Sequence, residues 1–169
     1  MIRFTLATSS EVATQSVGGA LGALALPGDV VLLSGDLGAG KTQLTKGIAA
    51  ALGVVEPVTS PTFNILRVHE GRLPLHHFDL YRLEHASELV DLDYWGTLEA
   101  DGISVVEWGD RFAEAMPDEC VSVTISILSD EGRSLELTGR GARGESLVGA
   151  WAAACEGLLG VSVSAERGV

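Results

Sequence analysis

The sequence predicts an α/β fold in which helices flank a mixed, largely parallel sheet that includes a C-terminal β-hairpin. The apolar run within residues 29–34 is typical of a strand buried on both faces of a sheet, and residues 103–107 indicate another buried strand. Helical patterns separate several of the predicted strands, and alternating patterns at residues 121–128 and 133–138 indicate the hairpin. With 169 residues, 46% of them hydrophobic and 20% charged, the chain is long and apolar enough for one globular domain.

In the first third of the chain, local signals place each element. Phe4 and Leu6 alternate with polar residues, as in a strand, and Ser9 or Ser10 can cap the helix that follows. The predicted order is a short strand around residues 4–6, a helix to about residue 26 that ends at Pro27 and Gly28, a strand at 29–34, a loop at 35–40, and a helix at 41–52 that Gly53 closes.

The rest of the chain continues the alternation. The predicted elements are strands at residues 63–68 and 73–78 around a turn at 70–72, a helix at 86–100, a strand at 103–107, the hairpin, and an amphipathic helix at 146–159. Glycines at residues 139–144 indicate a flexible break. We therefore predict a domain at 1–138, followed at 139–169 by a helix and flexible tail that either belong to that domain or are appended to it.

Charge and cysteine content exclude several classes of protein. The chain has 23 acidic and 11 basic residues, a net charge of −12, which argues against strong direct binding to nucleic acid. Cys120 and Cys155 form no CxxC pair and are predicted to be small buried hydrophobic residues. No apolar run reaches about 18 residues and no apolar leader is visible, so we expect no membrane span and a cytoplasmic location.

The strongest motif is GDLGAGKT at residues 35–42, which matches the pattern G-x-x-x-x-G-K-[ST] of a phosphate-binding loop. It follows a predicted buried strand and opens a helix, so backbone N–H groups and the helix dipole can face phosphate oxygens. Lys41 can reach the β- and γ-phosphates, and the Thr42 hydroxyl can ligate Mg²⁺. The sequence has no guanine-reading N-K-x-D motif, which favours ATP over GTP.

Two acidic residues end predicted strands and can complete this site. Asp79 and Glu107 would both reach the phosphate loop if their strands run parallel to the strand before it. His77 shares a strand face with Asp79, but no further His or Cys lies at a metal-ligand spacing, and His69 is isolated. These histidines are therefore predicted to be packed or surface residues.

The segment Ser60-Pro61-Thr62-Phe63 is a candidate switch. Hydroxyl groups around a rigid proline can sense a γ-phosphate, although the same sequence also suits an ordinary loop.

The four motifs together resemble the TsaE (YjeE-type) family of bacterial ATPases over about residues 1–138. They are GDLGAGKT (35–42), SPTF (60–63), HFDLYRL (77–83) and Glu107-Trp108, in the family's order and spacing. The resemblance implies a P-loop NTPase fold and a role in making threonylcarbamoyladenosine at position 37 of tRNA. It further implies ATP and Mg²⁺ as cofactors, the TsaD–TsaB complex as partner, and a supporting role in that complex's turnover.

The resemblance also implies roles for individual residues. Thr42 and Glu107 would be the Mg²⁺-side ligands, Asp79 the Walker B-type acid and Thr62 the switch residue. The residues expected to hold the nucleotide are Asp36, Leu37, Gly38, Ala39, Gly40, Lys41 and Thr42, with Glu11 and Arg133 near it. The chain departs from the family at Gly109, where the family usually has proline, and Trp108 before it is either a partner-facing or a core residue.

Two other functions share the phosphate loop. A small-molecule kinase needs a lid with several arginines, whereas Arg67, Arg72, Arg82 and Arg111 are well separated here. A nucleotide-dependent regulator that does not hydrolyse ATP would not need Asp79 and Glu107. We therefore favour the ATPase that the resemblance implies. Because the chain lacks a lid and has no obvious arginine beside the γ-phosphate, hydrolysis is expected to be weak alone and activated by a partner.

Overall fold

The computed structural model describes residues 2–167, which form one eight-stranded mixed sheet with helices on both faces. The strands are β1 (Ile2–Thr8), β2 (Val30–Ser34), β3 (Leu66–His69), β4 (Leu75–Asp79), β5 (Ile103–Glu107), β6 (Cys120–Ile127), β7 (Arg133–Arg140) and β8 (Val161–Arg167). The helices are α1 (Glu11–Leu24), α2 (Lys41–Ala51), α3 (Glu88–Asp91), α4 (Tyr94–Glu99) and α5 (Gly141–Cys155), with a short 3-10 helix at Ala113–Ala115. The strand order is β3-β4-β5-β2-β6-β7-β1-β8, which confirms the predicted mixed α/β sheet.

The centre of the sheet is parallel and its flanks are antiparallel. Strands β4, β5, β2 and β6 run in one direction, and the β6–β7 hairpin, β1, β8 and β3 complete the sheet. Glu107 pairs with Leu33 on one side and with Asp79 on the other. The register therefore brings both predicted acids to the edge where β2 leads into the phosphate loop.

Two hydrophobic clusters cover the two faces of the sheet. Val31 and Leu33 of β2 pack with α1, α2 and α5, whereas Val30 and Leu32 pack with α3 and α4. In the first cluster Trp151 is fully buried, and its indole N–H donates a 2.8 Å hydrogen bond to the Val17 carbonyl. This contact ties α5 to α1 in the core.

The predicted helix at residues 86–100 is wrong, because the chain forms two short helices, α3 and α4, there. The break falls at Asp93, whose φ of 50° is left-handed. It precedes Tyr94, which is fully buried and donates a hydrogen bond to the Ala115 carbonyl. The local sequence favours one helix, but the helix breaks where Tyr94 is buried against a distant segment. Strand β3 likewise starts at Leu66 and not at residue 63, after Ile65 with a φ of 64°.

The predicted flexible break at residues 139–144 is also wrong. Strand β7 passes directly into α5, and the glycines there serve close packing. A Cβ atom on Gly139 would lie 2.3 Å from the Gly144 carbonyl oxygen, and one on Gly144 would lie 2.2 Å from the Cys120 carbonyl oxygen. Helix α5 accordingly begins at Gly141 and not at residue 146.

The last part of the chain is a strand where a flexible tail was predicted. Residues 161–167 form β8, which pairs antiparallel with β1 along its whole length. Residues 168–169 of the predicted tail lie outside the described residues, and the domain division at residue 138 stays a prediction. Within residues 2–167, no helix combines the length and apolar character needed to cross a membrane.

Candidate nucleotide-binding site

A cleft of about 400 Å³ lies where the parallel strands end. The phosphate loop and the start of α2 form its floor, and α1, the segment after residue 60 and the β6–β7 turn contribute to its walls. The lining residues are Glu11, Thr14, Leu37, Gly38, Gly40, Lys41, Thr42, Gln43, Ser60, Thr62, Asp79, Tyr81, Glu107, Trp108, Glu131 and Arg133. This is the edge of an open α/β sheet at which ligands generally bind.

Glycine conformations shape the phosphate loop. Gly38 and Gly40 have φ angles of 79° and 109°, which side-chain-bearing residues rarely adopt. Gly40 is the N-cap of α2, and no side chain caps that helix end. The first N–H groups of α2 are thus available to a ligand, and the helix dipole favours an anion there.

Lys41 lies folded across the loop. Its Nζ donates hydrogen bonds to the carbonyl oxygens of Gly35 at 2.6 Å and Asp36 at 3.0 Å, and it lies 4.4 Å from the centre of the Trp108 ring. Burial lowers the pKa of Lys41, and neighbouring carboxylates, Glu107 first, oppose that shift. A cation held by neutral carbonyls and a ring can turn toward an anionic phosphate.

Glu107 joins α2 to the sheet. One oxygen of its buried carboxylate accepts a 3.1 Å hydrogen bond from the Thr42 hydroxyl, and the other lies 2.8 Å from His77 Nε2. A hydroxyl beside a carboxylate is the oxygen donor set that Mg²⁺ prefers. Among the described residues no three His, Cys, Asp or Glu side chains cluster as a metal cage. The donors therefore fit Mg²⁺, which usually keeps waters and takes other ligands from phosphates.

Asp79 holds the candidate switch segment. One carboxylate oxygen accepts hydrogen bonds from the hydroxyls of Ser60 at 2.8 Å and Thr62 at 3.0 Å, and the other accepts the Tyr81 N–H. The carboxylate is buried at 3% exposure. The 60–62 segment is thus fastened to the end of β4 by two hydroxyl contacts.

Arg133 fastens the β6–β7 turn to the phosphate loop. Its guanidinium donates to the carbonyls of Ala39 at 2.9 Å and Gly38 at 3.2 Å, and to the Ser129 and Gly132 carbonyls within the turn. The planar fork of donors suits this role, since it reaches two backbone segments at once.

Trp108 lines the cleft, and whether it also faces a partner stays a prediction. It is half-buried, has a left-handed φ of 57° and packs on Tyr81 at a 5.0 Å centroid distance. Gly109 donates its N–H to the Leu33 carbonyl at 3.1 Å, a bond that a proline could not make. Its backbone also lies so close to β2 that a Cβ would be 2.8 Å from that of Leu32.

Most of the predicted site residues surround this one cleft. They are Glu11, Leu37, Gly38, Gly40, Lys41, Thr42, Thr62, Asp79, Glu107 and Arg133. Asp36 and Ala39 do not line it, and their carbonyls instead accept hydrogen bonds from Lys41 and Arg133. The roles of all these residues stay predictions.

Four lining residues were missed, namely Thr14, Gln43, Tyr81 and Glu131. Each lies within three positions of a predicted residue, so nearness along the chain was the signal that could have found them.

Comparison with known proteins adds an independent line of support. Residues 8–135 match the family model described as threonylcarbamoyl adenosine biosynthesis protein TsaE. The TsaE protein of Bacillus subtilis is 42% identical over 135 residues, which cover 79% of this chain and 84% of that protein. The TsaE protein of Streptomyces coelicolor is 42% identical over 137 residues, which cover 76% of this chain and 92% of that protein.

A solved structure shows the same fold. The crystal structure of Bacillus subtilis YdiB superposes with a TM-score of 0.76 at 33% identity, covering 90% of this chain and 97% of that one. The matched region contains the phosphate loop, the 60–63 segment, β4 and the end of β5, all of which contribute to the cleft. The chain therefore belongs to the TsaE family.

Proposed function

We propose that the protein binds ATP with Mg²⁺ in this cleft and hydrolyses it slowly, as an accessory ATPase of tRNA threonylcarbamoyladenosine synthesis. The single observation that carries the proposal is the meeting of Lys41 and Thr42 of the phosphate loop with the buried Glu107 carboxylate, 3.1 Å from the Thr42 hydroxyl. A phosphate site, a cation and a pair of oxygen donors thereby meet at one point.

The chain's own groups divide the work of binding. The N–H groups at the start of α2 and the Lys41 ammonium would bind phosphate oxygens, and Thr42 with Glu107 would hold the metal. Bound Mg²⁺ neutralises charge on the phosphate oxygens. Asp79 would keep the hydroxyls of Ser60 and Thr62 beside the phosphates and hold water there through its carboxylate.

Hydrolysis is expected to be slow in the isolated protein. The basic residues that line the cleft are Lys41 and Arg133, and within the described residues both donate to backbone carbonyls of the loop. An additional arginine that stabilises the transition state is worth roughly 10³–10⁵ in rate. A partner that supplies or orders such a group would therefore dominate the rate.

The TsaD–TsaB complex is the proposed partner, and the cytoplasm the proposed location. Apart from the buried Glu107, the acidic residues within 84–119 are exposed or partly exposed, and they suit a basic protein partner better than tRNA. The Ser60–Thr62 contacts with Asp79 offer a means of coupling, because a γ-phosphate can compete for the same hydroxyls.

Steady-state ATP hydrolysis, measured alone and with purified TsaD–TsaB, tests the proposal. We expect slow turnover alone, acceleration by the complex, and loss of most of that acceleration in Thr62→Ala. Fast turnover alone with no response to the complex would overturn partner activation and favour an independent ATPase. No turnover in either case would favour the regulator that does not hydrolyse ATP.

A further inference from the structure

Two buried histidines lie between the Glu107 carboxylate and the half-exposed Glu56. His77 lies 2.8 Å from Glu107 through Nε2, and His69 lies against Glu56 through Nδ1. Both imidazoles are fully buried, Glu107 is 3% exposed, and Glu56 is 49% exposed. The cleft-facing carboxylate and a surface carboxylate thus each contact one histidine.

The register of the sheet places the two rings side by side. In the antiparallel β3–β4 pair, Arg67 lies opposite His77, and His69 lies two positions along β3 from Arg67. Side chains two positions apart share a face, so His69 and His77 are diagonal neighbours. Their ring centroids are 6.4 Å apart.

The remaining ring nitrogens have no partner in the protein. Among the described residues, the buried side-chain nitrogen and oxygen atoms without a hydrogen bond are His69 Nε2 and His77 Nδ1. An ionised carboxylate only accepts hydrogen bonds, so each ring carries its proton on the nitrogen that faces Glu56 or Glu107. In neutral rings the two unpartnered nitrogens are then both acceptors, and one water molecule has two O–H groups to donate.

We propose that His77 is a positioning residue for Glu107, and that one buried water joins His77 to His69. Glu56, His69, the water and His77 then form a continuous hydrogen-bonded chain that ends at Glu107, the proposed metal ligand. The chain fixes the Glu107 carboxylate with one oxygen turned to Thr42. The proposal rests on the Mg²⁺ site proposed above. A hydrogen-bond partner that orients a metal ligand typically changes metal affinity by about 10–100-fold when it is removed.

The free protein gives the first test, through long-range ¹H–¹⁵N spectra of its histidines. We expect His69 protonated at Nδ1 and His77 protonated at Nε2. The opposite tautomer in either ring would overturn the proposed hydrogen-bonded chain. Because this measurement needs no ligand, it decides the histidine arrangement even if the protein proves not to bind ATP, which would overturn the proposed function alone.

Calorimetry of the variants gives the second test, with ATP titrated in the presence and absence of Mg²⁺. His77→Phe should weaken Mg²⁺ binding to the ATP complex by about 10–100-fold and leave metal-free ATP affinity unchanged. His77→Gln should recover much of the loss, because its amide can replace the Nε2 donor. His76→Gln is the matched control, since His76 lies on the opposite face of β4 from His77 and contacts Ser104 at 3.3 Å.

Glu56, at the surface end of the hydrogen-bonded chain, gives the third test. Glu56→Gln should weaken Mg²⁺ binding in the same direction but less, and should add nothing in the His77→Phe background. If the effects of Glu56→Gln and His77→Phe on Mg²⁺ affinity were fully additive, the proposed hydrogen-bonded chain would be overturned. A His77→Phe variant with wild-type Mg²⁺ affinity, or with an equal loss of metal-free ATP affinity, would overturn the positioning role.

Discussion

Replacing Glu107 by glutamine removes one negative charge from the floor of the cleft with little change of shape. The carboxylate contacts Thr42 with one oxygen and His77 with the other, and both contacts are buried. Glutamine keeps one carbonyl oxygen, but its amide group donates where the carboxylate accepted. The variant therefore alters the proposed metal ligand and leaves the phosphate loop in place.

The structure sets the size of the effect. A hydrogen bond or ligand contact to a charged group is worth about 1.5–3 kcal/mol. Since 1.4 kcal/mol corresponds to a tenfold change in an equilibrium constant, Mg²⁺-dependent ATP affinity should fall about tenfold to a hundredfold. Metal-free ATP affinity should stay level or rise, because the cleft loses a negative charge that repels phosphate.

Isothermal titration with ATP, with and without Mg²⁺, measures both quantities. Asp110→Asn is the matched control, because Asp110 is exposed and its charge opposes the lowering of the Lys41 pKa, whereas the Thr42 hydroxyl donates to Glu107. It should alter the two affinities by a similar, small factor. If Glu107→Gln kept the wild-type dependence on Mg²⁺, the assignment of Glu107 as metal ligand would be refuted.

Three further predictions concern the loop clamp, the glycine junction and the cysteines. Arg133→Ala should loosen the phosphate loop and lower ATP affinity about tenfold by calorimetry, and Arg133→Lys should not restore it, because a single ammonium cannot span both backbone segments. Gly144→Ala should lower the free energy of unfolding by about 1–3 kcal/mol in urea, because the new Cβ would meet the Cys120 carbonyl, whereas Gly149→Ala, with open space around it, should not. Burial raises the pKa of Cys155 to about 12, so the native thiol should resist Ellman's reagent at pH 8 and react in denaturant. Because the thiol of the unfolded protein ionises first, the contribution of Cys155 to stability should fall as the pH rises from about 9 toward 12.

Features written in short stretches of sequence could be predicted. The phosphate loop is local, and parallel strands bring Asp79 and Glu107 to the same edge as the loop wherever the strands pair as β4, β5 and β2 do. The switch segment at 60–62 also reaches the cleft, through the hydroxyl contacts with Asp79. The placement of the two acids follows from strand direction and register, whereas the 60–62 segment was indicated by its motif.

Features that depend on distant contacts could not be predicted. Strand β8 exists because it pairs with β1 at the other end of the chain, and the break before Tyr94 accompanies burial of that ring against the Ala115 carbonyl. Gly139 and Gly144 suggest flexibility locally, but each makes room for a neighbouring backbone. His69 looked isolated because its neighbour, His77, is set by the β3–β4 register.

The most direct test of the central claim is the affinity of the protein for ATP with Mg²⁺ when Lys41 is changed to alanine. Lys41 is the cation held on the loop's own carbonyls, and its loss removes the main positive charge that faces the phosphates. Isothermal titration should show binding to the wild-type protein and at least a tenfold loss in Lys41→Ala, about 1.4 kcal/mol or more. Equal affinity in the two proteins would contradict the assignment of this cleft as the nucleotide site.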